Sequence, residues 1–254
     1  MFFSGQPART ESALQNLRSR LTSDRERDYF LTHQNRYRFI LKKIAALGLP
    51  PGATVLDIVC FPLHLFKMLE GWGYRVSGVS SDHEKIKTAK IHSLNIEIGP
   101  LPYPDNHFDL IIFAEVMEHL LYNPGNYLQE IYRVLKPGGT LFITTPNSIN
   151  IKNRLLLLGG RSCYPPLFQL LESEPDNGYI YHRRNREYTL SELEQLLKPH
   201  LFKIKSGGHF NAYSPLREKL HPNPRAVRII KGVVFLPTVF FSSLRDTNFI
   251  LAAK

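Results

Sequence analysis

The chain has 254 residues, 43% of them hydrophobic and 21% charged, enough apolar material for a sizeable core and too much for global disorder. Its two cysteines, Cys60 and Cys163, are too few for a disulfide framework or a four-thiolate zinc site, and read as reduced thiols. The net charge of +10 divides into +5 over residues 1–51, −3 over 52–147 and +8 over 148–254, so a mildly acidic centre sits between basic flanks that favour anionic partners.

Met1-Phe2-Phe3 is followed at once by Ser4, Gly5 and Gln6, with no basic-then-apolar leader. The longest apolar run, Ile229 to Phe241, is broken by Lys231, Gly232 and Pro237 and falls short of a bilayer span of about 20 residues. The expectation is a soluble, cytoplasmic protein. Glu11 to Leu47 reads as one or two helices, with Leu14, Leu17 and Leu21 and then Tyr37, Ile40, Leu41 and Ile44 at helical spacing. We take residues 1–51 as an N-terminal helical cap and 52–254 as the main domain. Within the latter, Thr54–Ile58 is a strand, Leu63–Gly71 a helix, Tyr74–Val79 a strand and Asp82–Leu94 a helix capped by Asp82. Phe108–Phe113 is a strand, Pro124–Leu135 a helix ended by Lys136-Pro137-Gly138-Gly139, and Thr140–Thr144 a strand. Asn150–Leu158 is a short helix, Gly159–Tyr181 a long loop, and Thr189–Leu197 a helix opened by a capping box of Thr189 and Glu192. Phe202–Lys205 and Thr247–Ala252 close the chain as an antiparallel pair around a basic insertion at about 214–244. The alternation predicts an α/β fold, Rossmann-like and doubly wound, with a mainly parallel seven-stranded sheet and ligands at the carboxyl ends of its strands.

Three stretches carry a family resemblance. Leu101-Pro102-Tyr103-Pro104-Asp105-Asn106-His107-Phe108-Asp109 leads into the strand and turn Leu110 to Leu120. Glu130-Ile131-Tyr132-Arg133-Val134-Leu135-Lys136-Pro137-Gly138-Gly139-Thr140-Leu141 and Thr144-Thr145-Pro146-Asn147 follow in order. Together they resemble the fourth and fifth strands of the class I S-adenosylmethionine-dependent methyltransferases. The resemblance implies S-adenosylmethionine as cofactor and Asp57, Val59, Cys60, Ser80, Asp82, Glu97 and Glu115 as the residues around it. His119, beyond the fourth strand, and His182, in a segment similar to the family's His-x-Arg-Glu element, are the candidate general bases. Both also read as loop-shaping histidines, and Asp109 reads as a loop-fixing carboxylate.

The sequence departs from the family in two places. The usual Gly-x-Gly-x-Gly after the first strand is Val59-Cys60-Phe61-Pro62-Leu63, with Val59 where the first glycine belongs, so the loop is expected to take a different path. The carboxylate expected after Gly78-Val79 is Ser80, with Asp82 two residues on. Two functions follow: O-methylation of a small molecule, sugar or glycolipid, or a cofactor-free relative serving as a binding or scaffold protein. Basic residues beside Val233–Phe241 suit a peripheral membrane contact, a hydrophobic substrate mouth or a homodimer face. The basic residues and aromatics do not interleave as in a nucleic-acid platform, and His and Cys spacings offer no metal cluster.

Overall fold

The computed structural model describes residues 6–59, 62–80, 90–97, 99–121, 123–164, 184–212 and 236–254. Two helices open it, α1 (Gln6–Arg20) and α2 (Asp24–Ala46), separated where the Ser23 side chain accepts the Glu26 N–H as an N-cap. Then come β1 (Thr54–Ile58), α3 (His64–Gly71), β2 (Arg75–Ser80), β3 (Ile91–Ser93) and β4 (Phe108–Ala114). A single 3₁₀ turn, Met117–His119, precedes α4 (Pro124–Val134) and β5 (Leu135–Pro146). The chain continues through α5 (Ile151–Leu158), α6 (Leu190–Leu197), β6 (Lys203–Phe210), α7 (Pro237–Phe240) and β7 (Thr247–Ala253).

The seven strands form one sheet in the order β3-β2-β1-β4-β5-β7-β6. The pairs from β3 through β5 are parallel, and β7 runs antiparallel to both neighbours. Buried on both faces, β1 and β4 are near-continuous apolar runs, as parallel central strands must be. One core layer joins Phe30, Tyr37, Ile40 and Leu41 of α2 to Val55, Leu110, Ile112 and Phe142 of the sheet. The opposite layer joins Leu56, Ile111, Phe113 and Ile143 to Leu128 and Ile131 of α4 and Leu193 of α6. Residues alternate between the two layers along each strand, following the two-residue period of the pleat.

The Rossmann-like fold, the mainly parallel sheet and the antiparallel final pair are as expected. The helix expected over Asp82–Leu94 needs correction at its end: Ile91–Ser93 is a strand, its three residues paired with Gly78, Val79 and Ser80. The β-branched Ile91 faces a partly covered edge there, and pairing with β2 outweighs the helical pattern. Residues 81–89, with the expected Asp82 cap, lie outside the described residues. The Pro-Gly-Gly turn is not a separate break. Leu135 already pairs with Phe108, Thr140 pairs with Leu110, and Lys136–Gly139 bulge between them, with Gly138 at φ 78°. The capping box on α6 forms as read: Glu192 N donates to Thr189 Oγ1, and Thr189 N donates to Glu192 Oε2.

Candidate active site at the carboxyl ends of β1 and β4

The order β2-β1-β4 places the reversal of winding between β1 and β4, where open α/β sheets carry their ligands. A small cavity there, about 40 Å³, is lined by Asp57 and Val59 of the β1 end, Ala114 of the β4 end, His64 of α3, and Arg36 and Tyr37 of α2. Asp57 and Val59 were expected here from the sequence, and so was cover from the N-terminal helices, though no residue of α2 was singled out for the site.

Asp57 is only 4% exposed, and burial pushes its carboxyl up to about 7. Beyond β4, Glu115 receives the Thr144 hydroxyl at 2.9 Å on one oxygen and faces the Arg36 guanidinium at 3.5 Å with the other. Both side chains of that pair are 10% exposed, so the charges meet in a largely water-free setting. His64 donates or accepts at Nδ1 with the Tyr37 hydroxyl at 3.3 Å, and Tyr29, Phe30 and Tyr37 surround its ring. Burial lowers the imidazole to about 4, which keeps it neutral, and its buried Nε2 has no partner among the described residues.

The backbone at this end is bent as glycine would bend it. Val59 has φ 58° and Glu115 φ 58°, with Leu63 at φ 57° before α3. Side-chain-bearing residues, and β-branched ones above all, take this left-handed conformation at a cost that surrounding structure must hold in place. The described end of the loop therefore keeps the turn at Val59 that the missing glycine would have made, and Val59 N donates to Val79 O at 2.8 Å. Cys60 and Phe61 lie outside the described residues, as do Asp82 and His182.

Ser80 is buried at the last position of β2, where its carbonyl receives Leu94 N at 2.9 Å. Glu97 sits apart from the Asp57 group. Its carboxylate accepts Leu121 N at 2.6 Å and borders a separate cavity of about 280 Å³ with Asn126, Tyr127 and Glu130.

His119 is partly exposed and its Nε2 lies 3.8 Å from Oε1 of Glu118. The Glu118 carboxyl is 1% exposed and accepts the Thr145 hydroxyl at 3.0 Å. Burial first, and then the neighbouring Glu115, push it up to about 8. The Glu118 carbonyl accepts Asn185 N at 2.6 Å, and Asn185 Nδ2 donates to the His119 carbonyl at 2.8 Å. The segment 184–187 is thus fastened onto the turn that carries His119. Nearby, Ser148, Tyr164, Arg184, Arg186 and Glu187 enclose a further pocket of about 50 Å³.

Asp109 belongs to the opposite end of the sheet. It accepts Thr54 N at 2.8 Å, Thr54 Oγ1 at 2.7 Å and Lys136 Nζ at 2.8 Å, the loop-fixing role its position implied. Arg36 could have been found from sequence: it lies next to Tyr37 and four residues before Ile40, on a helix face whose apolar spacing demands burial. A buried arginine requires a partner, and Glu115 supplies it.

Comparison with known proteins agrees with this fold. Residues 31–204 match a family model described as a methyltransferase domain. The ubiquinone biosynthesis O-methyltransferase of Caulobacter vibrioides is 32% identical over 106 residues, covering 38% of this chain and 42% of that protein. The chain spans about half the length, or less, of the curated relatives it matches. A solved methyltransferase from Archaeoglobus fulgidus superposes with a TM-score of 0.54 at 18% identity, covering 89% of this chain and 99% of that one. Phosphoethanolamine N-methyltransferase 2 of Haemonchus contortus, solved in complex with S-adenosyl-L-methionine, gives 0.51 at 18% identity over 84% of this chain and 52% of that one.

Proposed function

The chain belongs to the class I S-adenosylmethionine-dependent methyltransferases, and from that premise we propose that it methylates a hydroxyl oxygen of a small-molecule acceptor. The observation that carries the reading is the grouping of Asp57, Arg36 and Glu115 at the switch point between β1 and β4. An amino-acid-bearing cofactor needs both an anionic and a cationic partner, and this end of the sheet offers both in a poorly hydrated setting. The left-handed turn at Val59 keeps the loop's opening turn despite the lost glycine. Asp57, Val59, Ser80, Glu115 and Arg36 are the described residues that would hold the cofactor, joined by Cys60 and Asp82 on the same loops. When bound, S-adenosylmethionine supplies an electrophilic methyl group on a sulfonium.

The protein's own task is to hold the acceptor oxygen in line and remove its proton. His119 is our candidate base: it is partly exposed on a turn at the carboxyl end of β4, and the 184–187 segment steadies it from behind. His182 is a second candidate. The relative's name, an O-methyltransferase, supports oxygen as the atom methylated. Exposed Leu158, Phe240 and Phe241 support an apolar acceptor such as a glycolipid, and equally a peripheral membrane contact. Among the described residues no helix is long and apolar enough to cross a membrane.

The test is calorimetry with S-adenosylmethionine and S-adenosylhomocysteine, followed by methyl transfer to a panel of phenols, sugars and glycolipids. Failure of both cofactor forms to bind at millimolar concentration overturns the reading.

A further inference from the structure

Along the flank of the molecule, α1 and α3 wall an open groove of about 860 Å³, lined by Arg9, Asn16, Arg20, Lys67, Gly71 and Trp72 among others. It shares no lining residue with the Asp57 cavity. Arg9, Asn16 and Arg20 recur at helical spacing and so face it together. Arg9 and Arg20 stand about 16 Å apart along the axis of α1 at the α-helical rise.

Among the described residues Arg9, Arg20 and Lys67 have no carboxylate partner, while Glu70, the acid on the wall, is paired with Lys90. Arg9 is held in place: its guanidinium lies 4.5 Å over the Trp72 ring and donates to the Trp72 carbonyl at 2.8 Å. The result is a flat cationic platform of Arg9 on Trp72, with Arg20 and Lys67 as the further cations of the lining. Beside the platform, the buried indole N–H of Trp72 has no acceptor among the described residues. Between the ends the floor is open, since a Cβ on Gly71 would meet nothing within 4 Å.

We propose that this groove is a second ligand site, for an elongated small-molecule anion of the nucleotide class, with phosphates against Arg20 and Lys67 and a flat ring against the Arg9–Trp72 stack. Guanidinium and ammonium groups are the usual phosphate partners, and guanidinium planes stack on flat rings. A lone inorganic anion would engage one end and leave the rest of the volume unused. A fatty anion calls for an apolar channel, and here Ser12 and Asn16 break the wall.

Trp72 is the chain's only tryptophan, so its emission reports the groove without reference to methyl transfer. ATP and GTP, titrated into the whole chain, are expected to change that emission saturably. Binding should weaken about tenfold or more, a loss of at least about 1.4 kcal/mol, in R20E/K67E and in Gly71→Phe, which fills the floor at a position of ordinary φ. The thermal midpoint and the affinity for S-adenosylmethionine should stay unchanged in both variants. No saturable response to either nucleotide at millimolar concentration overturns the site. Pyrophosphate binding as tightly as ATP overturns the ring end, and decanoate displacing ATP at lower concentration overturns the nucleotide class.

Discussion

The two ends of the parallel sheet use the same residue types to opposite effect. At the amino end, Asp109 and Glu130 are part-exposed and ion-paired. Desolvation raises Asp109, but the combined hydrogen bonds from Lys136 and Thr54 leave it below its usual range, and the hydrogen bond from Arg133 lowers Glu130 against desolvation. Arg133 alone ties Glu130, Asp105 and the carbonyls of Leu101 and Tyr103 together. At the carboxyl end, Asp57 and Glu118 are buried and pushed up to about 7 and about 8. His64 there has a nitrogen with no partner among the described residues, and Val59 and Glu115 take glycine-like backbone angles. One end keeps its carboxylates ionised and strengthens the fold; the other buries Asp57 and Glu118 towards their neutral forms and stores strain, as functional sites do.

The contrast can be broken most strongly at its ion pairs. Arg36→Leu leaves Glu115 buried without a cation and should cost about 3–5 kcal/mol, read from urea unfolding, together with cofactor affinity. Arg133→Leu at the amino end should cost no more than about 1–2 kcal/mol, its neighbours having access to water. Equal losses would erase the distinction. His119→Asn should lower kcat at least about a hundredfold while leaving S-adenosylmethionine binding intact, the signature of a general base. A parallel loss of both would reduce His119 to a loop residue.

Asp57 and Glu118 have folded values raised above their ordinary ones, so the native state binds more protons than the unfolded chain. Their contribution is fully present below about 4 and is lost as pH rises through about 7 and 8. His64, lowered to about 4, works the other way, with its contribution present above about 6.5 and lost as pH falls towards 4. Glu118→Gln should therefore remove part of the stability lost between pH 5 and 8, on the order of 2 kcal/mol, in denaturation curves taken across that range. An unchanged slope would show that Glu118 does not carry it. The smallest effects are at single φ angles. Val59→Gly should gain about 1 kcal/mol by relieving the left-handed turn, whereas Gly138→Val, at φ 78° in the β5 bulge, should lose at least that.

What the sequence conveyed follows the same division. The amino end and the central strands were legible because their signals are local: apolar runs for β1 and β4, Pro-Gly-Gly for the positive φ at Gly138, Thr189 and Glu192 for the capping box. Asp109 was placed correctly for the same reason. The carboxyl end depends on pairs distant in sequence, such as Arg36 with Glu115 and Tyr37 with His64, which no periodicity joins. Strand β3 was read as helix because three residues carry little pattern of their own, and their pairing with β2 decides the matter. Val59 in the first glycine position was visible, but not that the backbone would keep the glycine's turn there.

The insertion of β7 between β5 and β6 has a consequence for synthesis. Every rung of β6 pairs with Thr247–Ala253, so β6 waits for residues made some forty positions later. Until they leave the ribosome, β5 presents an open edge carrying Leu141, Phe142 and Ile143, a template for pairing with another nascent chain. Lys254 then acts as a latch, its ammonium donating to the carbonyl of Tyr132 at 2.7 Å and to Asn106 at 2.8 Å. Ribosome-stalled chains ending before residue 247 are expected to be protease-sensitive and prone to self-association, and release past Lys254 to abolish both.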